Sequence, residues 1–213
     1  AVEHLRELAA RHPQAHPWGL GVSIPLPVDF RDGTLIDPIS VALGEDNPWT
    51  HVDLRRRLAV ALEMSVWVDD EVNMMSLAAA TRRGAPPDLL YVRFGLGLGM
   101  GIVSGGRVHR GIGATSGEIA HIQVSGASRR RCRCGRTGCL ETYVSGGAFQ
   151  EVAARPEALR HSKHLKAAMD DHGRITPEDV FAGVAGGDRV CVRIATESAD
   201  KLAGVLAVLA TTY

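Results

Sequence analysis

Three cysteines within eight residues constrain this chain more than any other feature. Cys132, Cys134 and Cys139 are spaced C-x-C-x4-C, with Gly135 and Gly138 between them, while a fourth, Cys191, lies far downstream in a helical pattern. A disulfide framework would spread pairs of cysteines through a short secreted chain. A tight, odd-numbered cluster in a chain of 213 residues reads instead as a metal site in a reducing compartment. His121 stands upstream and completes a set of three thiolates and one imidazole, the tetrahedral sphere of structural zinc sites. One residue between the first two cysteines, and glycines before the third, let the backbone fold three sulfurs around one ion. With four protein ligands the sphere is full, so the expected Zn²⁺ is structural, with no open position for water. The plainer alternative is three free thiols in a loop beside an unrelated histidine.

The length suits one large domain or two small ones. Hydrophobic residues are 45% and charged residues 23%, enough for a sizeable core and unlike a disordered chain. Lys plus Arg is 24 and Asp plus Glu is 24, a balance that argues against holding nucleic acid mainly by electrostatics. No apolar run approaches the roughly 20 residues that span a bilayer. No membrane partner is therefore expected, and the cytoplasm is the expected location.

Helical and strand-like segments alternate, which predicts an α/β architecture. Val2, Leu5, Leu8 and Ala9 predict a helix ending before Pro13, and residues 19–25 a buried strand. A helix follows over 51–62, with Val52, Leu58, Ala61 and Leu62 inward, then a strand at 66–69 and a helix over 71–82. Ala85-Pro86-Pro87 breaks that helix, and a domain boundary is placed there: 1–86 as part of an N-terminal lobe and 87–213 as a C-terminal lobe. Residues 89–94 and 99–103 read as strands, with Gly105-Gly106 turning a hairpin into 107–111. Helices are predicted over 140–154, 156–169, from Thr176-Pro177-Glu178-Asp179, and from 188 to about 210.

Two further stretches carry candidate chemistry. Gly95, Gly97, Gly99 and Gly101 lie between two strands and could let backbone N–H groups approach a phosphate, or could simply relieve crowding. Asp69, Asp70 and Glu71 fall where a strand ends and a helix begins, a usual ligand position in α/β sheets. A carboxylate there could deprotonate a hydroxyl, or the three acids could only cap the helix. Arginines at 129, 130, 131, 133 and 136 crowd the cysteine loop, as an anion patch or as solvated charge that favours the thiolates. Asp32-Gly33-Thr34 looks like a phosphate-binding triplet, but after Pro27-Val28-Asp29 it reads as a plain turn.

Taken in order, GVSIPLPVD, VDDEVN, FGLGLGMGIVSGG, HRGIGATSGEIAH and CRCGRTGCLE resemble the ROK family of bacterial repressors, open reading frames and sugar kinases. The resemblance runs from about residue 19 to residue 150. It implies an actin/hexokinase-type (ribonuclease H-like) fold of two domains, incomplete at both ends here. It also implies Zn²⁺ on His121, Cys132, Cys134 and Cys139, and a phosphate loop at Gly95, Gly97 and Gly99. The family's sugar contacts fall on Asp70, Glu71, Glu118, His121 and Glu141. His121 could then give one ring nitrogen to zinc and the other to a sugar hydroxyl.

Departures from the kinase pattern give the resemblance its direction. The family's kinases carry Asn-Asp where this chain has Asp70-Glu71, and that Asp is the base for the sugar hydroxyl. Leu96 replaces the hydroxyl residue of the phosphate loop, Pro25-Leu26-Pro27 replaces Pro-Gly-Pro, and Ala120 replaces a glycine. The phosphate-gripping Asp-x-Gly-x-Thr hairpin that begins a kinase is not in this sequence. The chain therefore reads as closer to the family's regulators: a sugar- or sugar-phosphate-binding effector region, non-enzymatic, with DNA contacted by a module preceding residue 1 and assembly as a homodimer or tetramer. The alternative is an ATP- and Mg²⁺-dependent sugar kinase, glucokinase-like, with Glu71 as base. A zinc-stapled scaffold without ligand is the third reading.

Overall fold

The structure, a computed structural model, describes residues 2–36, 52–124 and 130–212. His51 and Arg129 lie outside the described residues. The described chain forms two compact units, one of residues 1–91 with 101–117 and the other of 92–100 with 118–213. That division does not follow the 86/87 boundary. Ala85-Pro86-Pro87 is a connection inside the first unit, and the chain changes units within a glycine-rich pair of strands instead.

In the first unit, α1 (Val2–Arg11) precedes β1 (Leu20–Ile24), the small hairpin β2 (Val28–Asp29) and β3 (Thr34–Leu35), α2 (Leu54–Leu62), β4 (Val66–Asp70) and α3 (Glu71–Ala80). β1 and β4 pair in parallel, from Leu20 opposite Val66 to Ile24 opposite Asp70. Buried Val66 and Val68 face Val28 and Leu35, and Leu20, Val22, Leu54 and Leu58 pack around them. Asp53 starts α2 by accepting the Arg56 amide, so the helix begins two residues later than Val52. Asp32-Gly33-Thr34 is the turn of the β2–β3 hairpin: the Thr34 amide donates to Asp32 Oδ1 at 2.8 Å, and Gly33 takes φ +79°.

β5 (Leu89–Phe94), β6 (Leu98–Ser104) and β7 (Arg107–Val108) form a three-stranded sheet in that order. Val103 pairs with Val108 and Ser104 with Arg107, leaving Gly105 and Gly106 as a two-residue turn with φ +57° and +75°. Positive φ at both centres is what a tight hairpin demands, and glycine meets it without strain. Gly101 serves packing: a Cβ there would lie 2.6 Å from Ser76 Oγ and from the Val72 carbonyl of α3.

The second unit is mainly helical: α4 (Gly146–Ala153), α5 (Pro156–His161), α6 (Lys163–His172), α7 (Pro177–Ala185) and α8 (Arg189–Ala210). The continuous helices predicted over 140–154 and 156–169 are each divided. Ser145 is extended, at φ −161° and ψ 158°, and its hydroxyl caps α4 through the Ala148 amide, so 140–142 survives only as a single 3-10 turn. Ser162 breaks the second segment in the same way and caps α6 through Leu165. Thr176 and Asp179 form a full capping box ahead of α7. Phe149, Leu165, Val180, Val190 and Ile194 close the core between these helices. Among the described residues, no helix is long and apolar enough to cross a membrane.

Candidate functional site

The cysteine loop folds because its glycines permit two sharp reversals. Gly135 (φ +81°) and Gly138 (φ +75°) are left-handed. Arg131 bridges Thr137, and the Cys132 amide donates to the Arg136 carbonyl at 2.8 Å, closing a knuckle. The Leu140 amide donates to the Ile122 carbonyl at 2.8 Å, and Gln123 bridges Cys139, which brings the Ile119–His121 and Leu140–Thr142 turns together.

As a result, one donor atom each from His121, Cys132, Cys134 and Cys139 lies within 4.8 Å of all the others. Cys134 Sγ is 3.6 Å from Cys139 Sγ, and Cys132 Sγ is 3.6 Å from His121 Nδ1. Sulfurs about 2.3 Å from a tetrahedral Zn²⁺ sit about 3.7 Å apart, whereas a disulfide requires about 2.05 Å. The donor set and its spacing fit a tetrahedral metal. Burial raises the Cys132 thiol, and burial with the neighbouring thiols pushes Cys139 up to about 12. Burial also raises Cys134, but the Arg136 amide and guanidinium outweigh it and bring that thiol down to about 7. Burial lowers the His121 pKa and favours the neutral imidazole a metal requires, with Glu141 opposing.

Two of the loop arginines, Arg130 and Arg133, are engaged within the second unit. Arg130 donates to the Thr142 carbonyl at 2.8 Å, reaches Glu197 at 3.4 Å and stacks 4.2 Å over the Tyr143 ring. Arg133 pairs with Glu141 at 3.2 Å. Glu141 Oε1 also lies 3.1 Å from where a Cβ on Gly97 would be, so Gly97 leaves room for that carboxylate. Glu118 precedes the His121 turn without capping it.

In the glycine run the Gly95 amide donates to the Gly97 carbonyl at 2.9 Å, while Gly146 N–H donates to the Gly95 carbonyl at 2.7 Å and Gly147 N–H to the Leu96 carbonyl at 3.1 Å. The run thus seats the first turn of α4, and none of Gly95, Gly97, Gly99 and Gly101 has positive φ. The Leu96 side chain is 72% exposed.

At the end of β4, Asp70 Oδ1 accepts the Val72 and Asn73 amides at 2.8 and 3.2 Å and caps α3. Burial raises its pKa against those bonds. Glu71 opens the helix and is half-buried. Asp70 and Glu71 belong to the first unit; Glu118, His121, Glu141, the glycines at 95, 97 and 99, and the cysteines belong to the second.

Asp69, one of the three acids that the sequence offers as ligand carboxylates or as helix caps, is 1% exposed and accepts two bonds from Arg110, at 3.1 and 2.6 Å. Nothing local in the sequence marks a pair 41 positions apart.

A profile of the ROK family matches residues 1–213. The chain belongs to the ROK family. Among curated ROK proteins it is 27% identical over 194 residues to a glucokinase of Halalkalibacterium halodurans, covering 90% of this chain and 57% of the relative. It is 28% identical over 193 residues to a xylose repressor of Caldicellulosiruptor bescii, covering 86% and 45%. The chain thus spans about half the length of these relatives. Among solved structures, a ROK transcriptional regulator described as a homologue of the E. coli MLC protein superposes with a TM-score of 0.77 at 24% identity, covering 98% of this chain and 51% of that one. A ROK hexokinase from Thermus thermophilus superposes at 0.73 and 24%, covering 100% and 65%. The actin/hexokinase-type fold read from the sequence is therefore the fold observed, and relatives of both kinds, kinase and regulator, share it.

Proposed function

We propose that this chain is the sugar-effector-binding region of a ROK transcriptional regulator, stapled by a structural Zn²⁺ on His121, Cys132, Cys134 and Cys139. DNA would be contacted through a separate module, in a cytoplasmic homodimer or tetramer. The observation that carries the regulator reading is the state of the Asp70–Glu71 turn. Where a kinase needs an amide and an aspartate base, Asp70 has one oxygen committed to the α3 amides. Glu71 is the remaining acid, one methylene longer than the base it replaces. Misplacing a base by about 1 Å costs roughly a hundredfold in rate. Leu96 adds to this by presenting alkyl surface where the phosphate loop has a hydroxyl.

Ligand binding asks less of the same residues. Glu118 and Glu141 supply acceptors suited to vicinal hydroxyls. His121 turns Nδ1 toward the cysteines, which leaves Nε2 for a hydroxyl, with its tautomer fixed by the metal. Relatives named glucokinase, kanosamine kinase and xylose repressor support a sugar-like ligand. The kinase alternative, with Glu71 as base and ATP with Mg²⁺ as co-substrate, rests on the glucokinase similarity.

One experiment separates the two. Full-length protein is titrated with glucose, N-acetylglucosamine, mannose, fructose and xylose, then assayed with ATP and each sugar. Binding without phosphorylation is expected. Turnover of about 1 s⁻¹ or more, in the range of ordinary kinases, would overturn the regulator reading.

A further inference from the structure

Arg110 follows β7 in a loop to which no part of the site reading gave a role, yet it reaches a carboxylate next to the candidate ligand pair. Its Nε and Nη2 both donate to Asp69 Oδ2, at 3.1 and 2.6 Å. The other oxygen, Asp69 Oδ1, accepts the Asp70 amide at 2.9 Å and Asn73 Nδ2 at 3.2 Å. One carboxylate thus ties the strand end, the first turn of α3 and the Arg110 loop together. The Arg110 guanidinium also stacks 4.1 Å over the Phe30 ring, in the β2–β3 hairpin that follows Pro25-Leu26-Pro27. All of these residues belong to the first unit.

We propose that Arg110 is a positioning residue: through Asp69 it fixes the backbone that carries Asp70 and Glu71, and through Phe30 it registers the β2–β3 hairpin against that same turn. The ligand arm of this inference rests on the sugar-binding reading; the backbone arm does not. The chemistry suits arginine specifically. A planar fork can hold one carboxylate oxygen through two N–H groups while its face lies on an aromatic ring, and lysine can do neither with the same geometry. Asp69 has its two oxygens divided between the turn and Arg110, so loosening one side frees the other.

The test compares full-length wild type with Arg110→Lys and with the double variant Asp69→Asn/Arg110→Gln, which leaves no unpaired buried charge. Amide hydrogen exchange is followed residue by residue, and binding is measured with glucose, N-acetylglucosamine, mannose, fructose and xylose. At Asp70, Val72 and Asn73, exchange is expected to quicken at least tenfold in the double variant and by less in Arg110→Lys. The β1 amides Leu20–Ile24 and the zinc content should stay at wild-type values. Affinity for any sugar the wild type binds should fall tenfold or more in the double variant, with Arg110→Lys between the two. Unchanged exchange at 70–73 overturns the proposal, and so does a rise of equal size across β1, which would mean a merely structural pair. Equal sugar affinity in wild type and double variant overturns it as well. If the wild type binds none of the five sugars, the sugar reading fails, and the exchange comparison alone decides the role of Arg110.

Discussion

A side chain that serves two sites should fail in two ways when it is removed. His121 supplies Nδ1 to the cysteine cluster and, on the proposed reading, Nε2 to a sugar hydroxyl. His121→Ala should therefore lower zinc content and sugar affinity together. Glu118 is no metal donor, so Glu118→Ala should leave zinc near one per chain. It should weaken the sugar by about 1.5–3 kcal/mol, the usual worth of a charged hydrogen bond, or tenfold to a hundredfold. Metal analysis beside calorimetric titration reads both, and equal zinc loss in the two variants would show Glu118 to be misassigned. At this scale the cluster of three cysteines and His121 was legible because its members are close in sequence and few residue types can bind a metal through sulfur. The Asp69–Arg110 pair was not, since its partners are brought together only by the sheet and hairpin between them.

Helix ends decide much of the second unit. Asp188 caps α8 by accepting the Val190 and Cys191 amides at 3.0 Å each, and its other oxygen accepts the Ser162 hydroxyl at 2.8 Å. Ser162 in turn caps α6 through Leu165, so one carboxylate holds two helix starts. Burial raises the Asp188 pKa, but the Cys191 amide and the Ser162 hydroxyl outweigh it and the net shift is downward. A carboxyl whose folded pKa lies below its unfolded value adds stability that is complete above the unfolded pKa and is lost as pH falls through the folded one. Asp188→Ala is expected to cost about 1–2 kcal/mol near neutral pH. The gap to wild type should shrink as pH falls below the ordinary aspartate value of 3.8, as read by urea unfolding across pH.

Packing gives a second prediction at the same scale. Gly101→Ala should destabilise by about 1–3 kcal/mol, the usual range for overpacking, because the added methyl meets the Val72 carbonyl, which a rigid helix cannot withdraw. Element types were readable from periodicity and caps; the breaks at Ser145 and Ser162 were not. Both serines sit inside apolar patterns that continue past them, and only the packing of α4 and α6 shows that each starts a new helix.

For the molecule as a whole, all four candidate metal donors belong to one of the two units. Metal bound there adds its binding free energy to folding. A strong chelator, or Cys132→Ser or Cys139→Ser, should lower the melting temperature, with exchange protection lost first around the cysteine knuckle and α4. The β1–β4 pair, whose unit holds none of the donors, should keep its protection longest. Simultaneous loss everywhere would contradict a staple local to the second unit.

The first unit is not one stretch of chain: residues 101–117 return to it after 92–100 have joined the second. On a ribosome this imposes an order. The first unit lacks β7 and Arg110 until residue 110 has cleared the exit tunnel, by which time residues 92–100 of the second unit have already emerged. Asp69 must therefore wait, with its carboxylate still in water, for a partner translated 41 codons later. A chain halted between those two codons keeps the Asp70 cap on α3 but carries Asp69 without the partner that ties its second oxygen to the Arg110 loop.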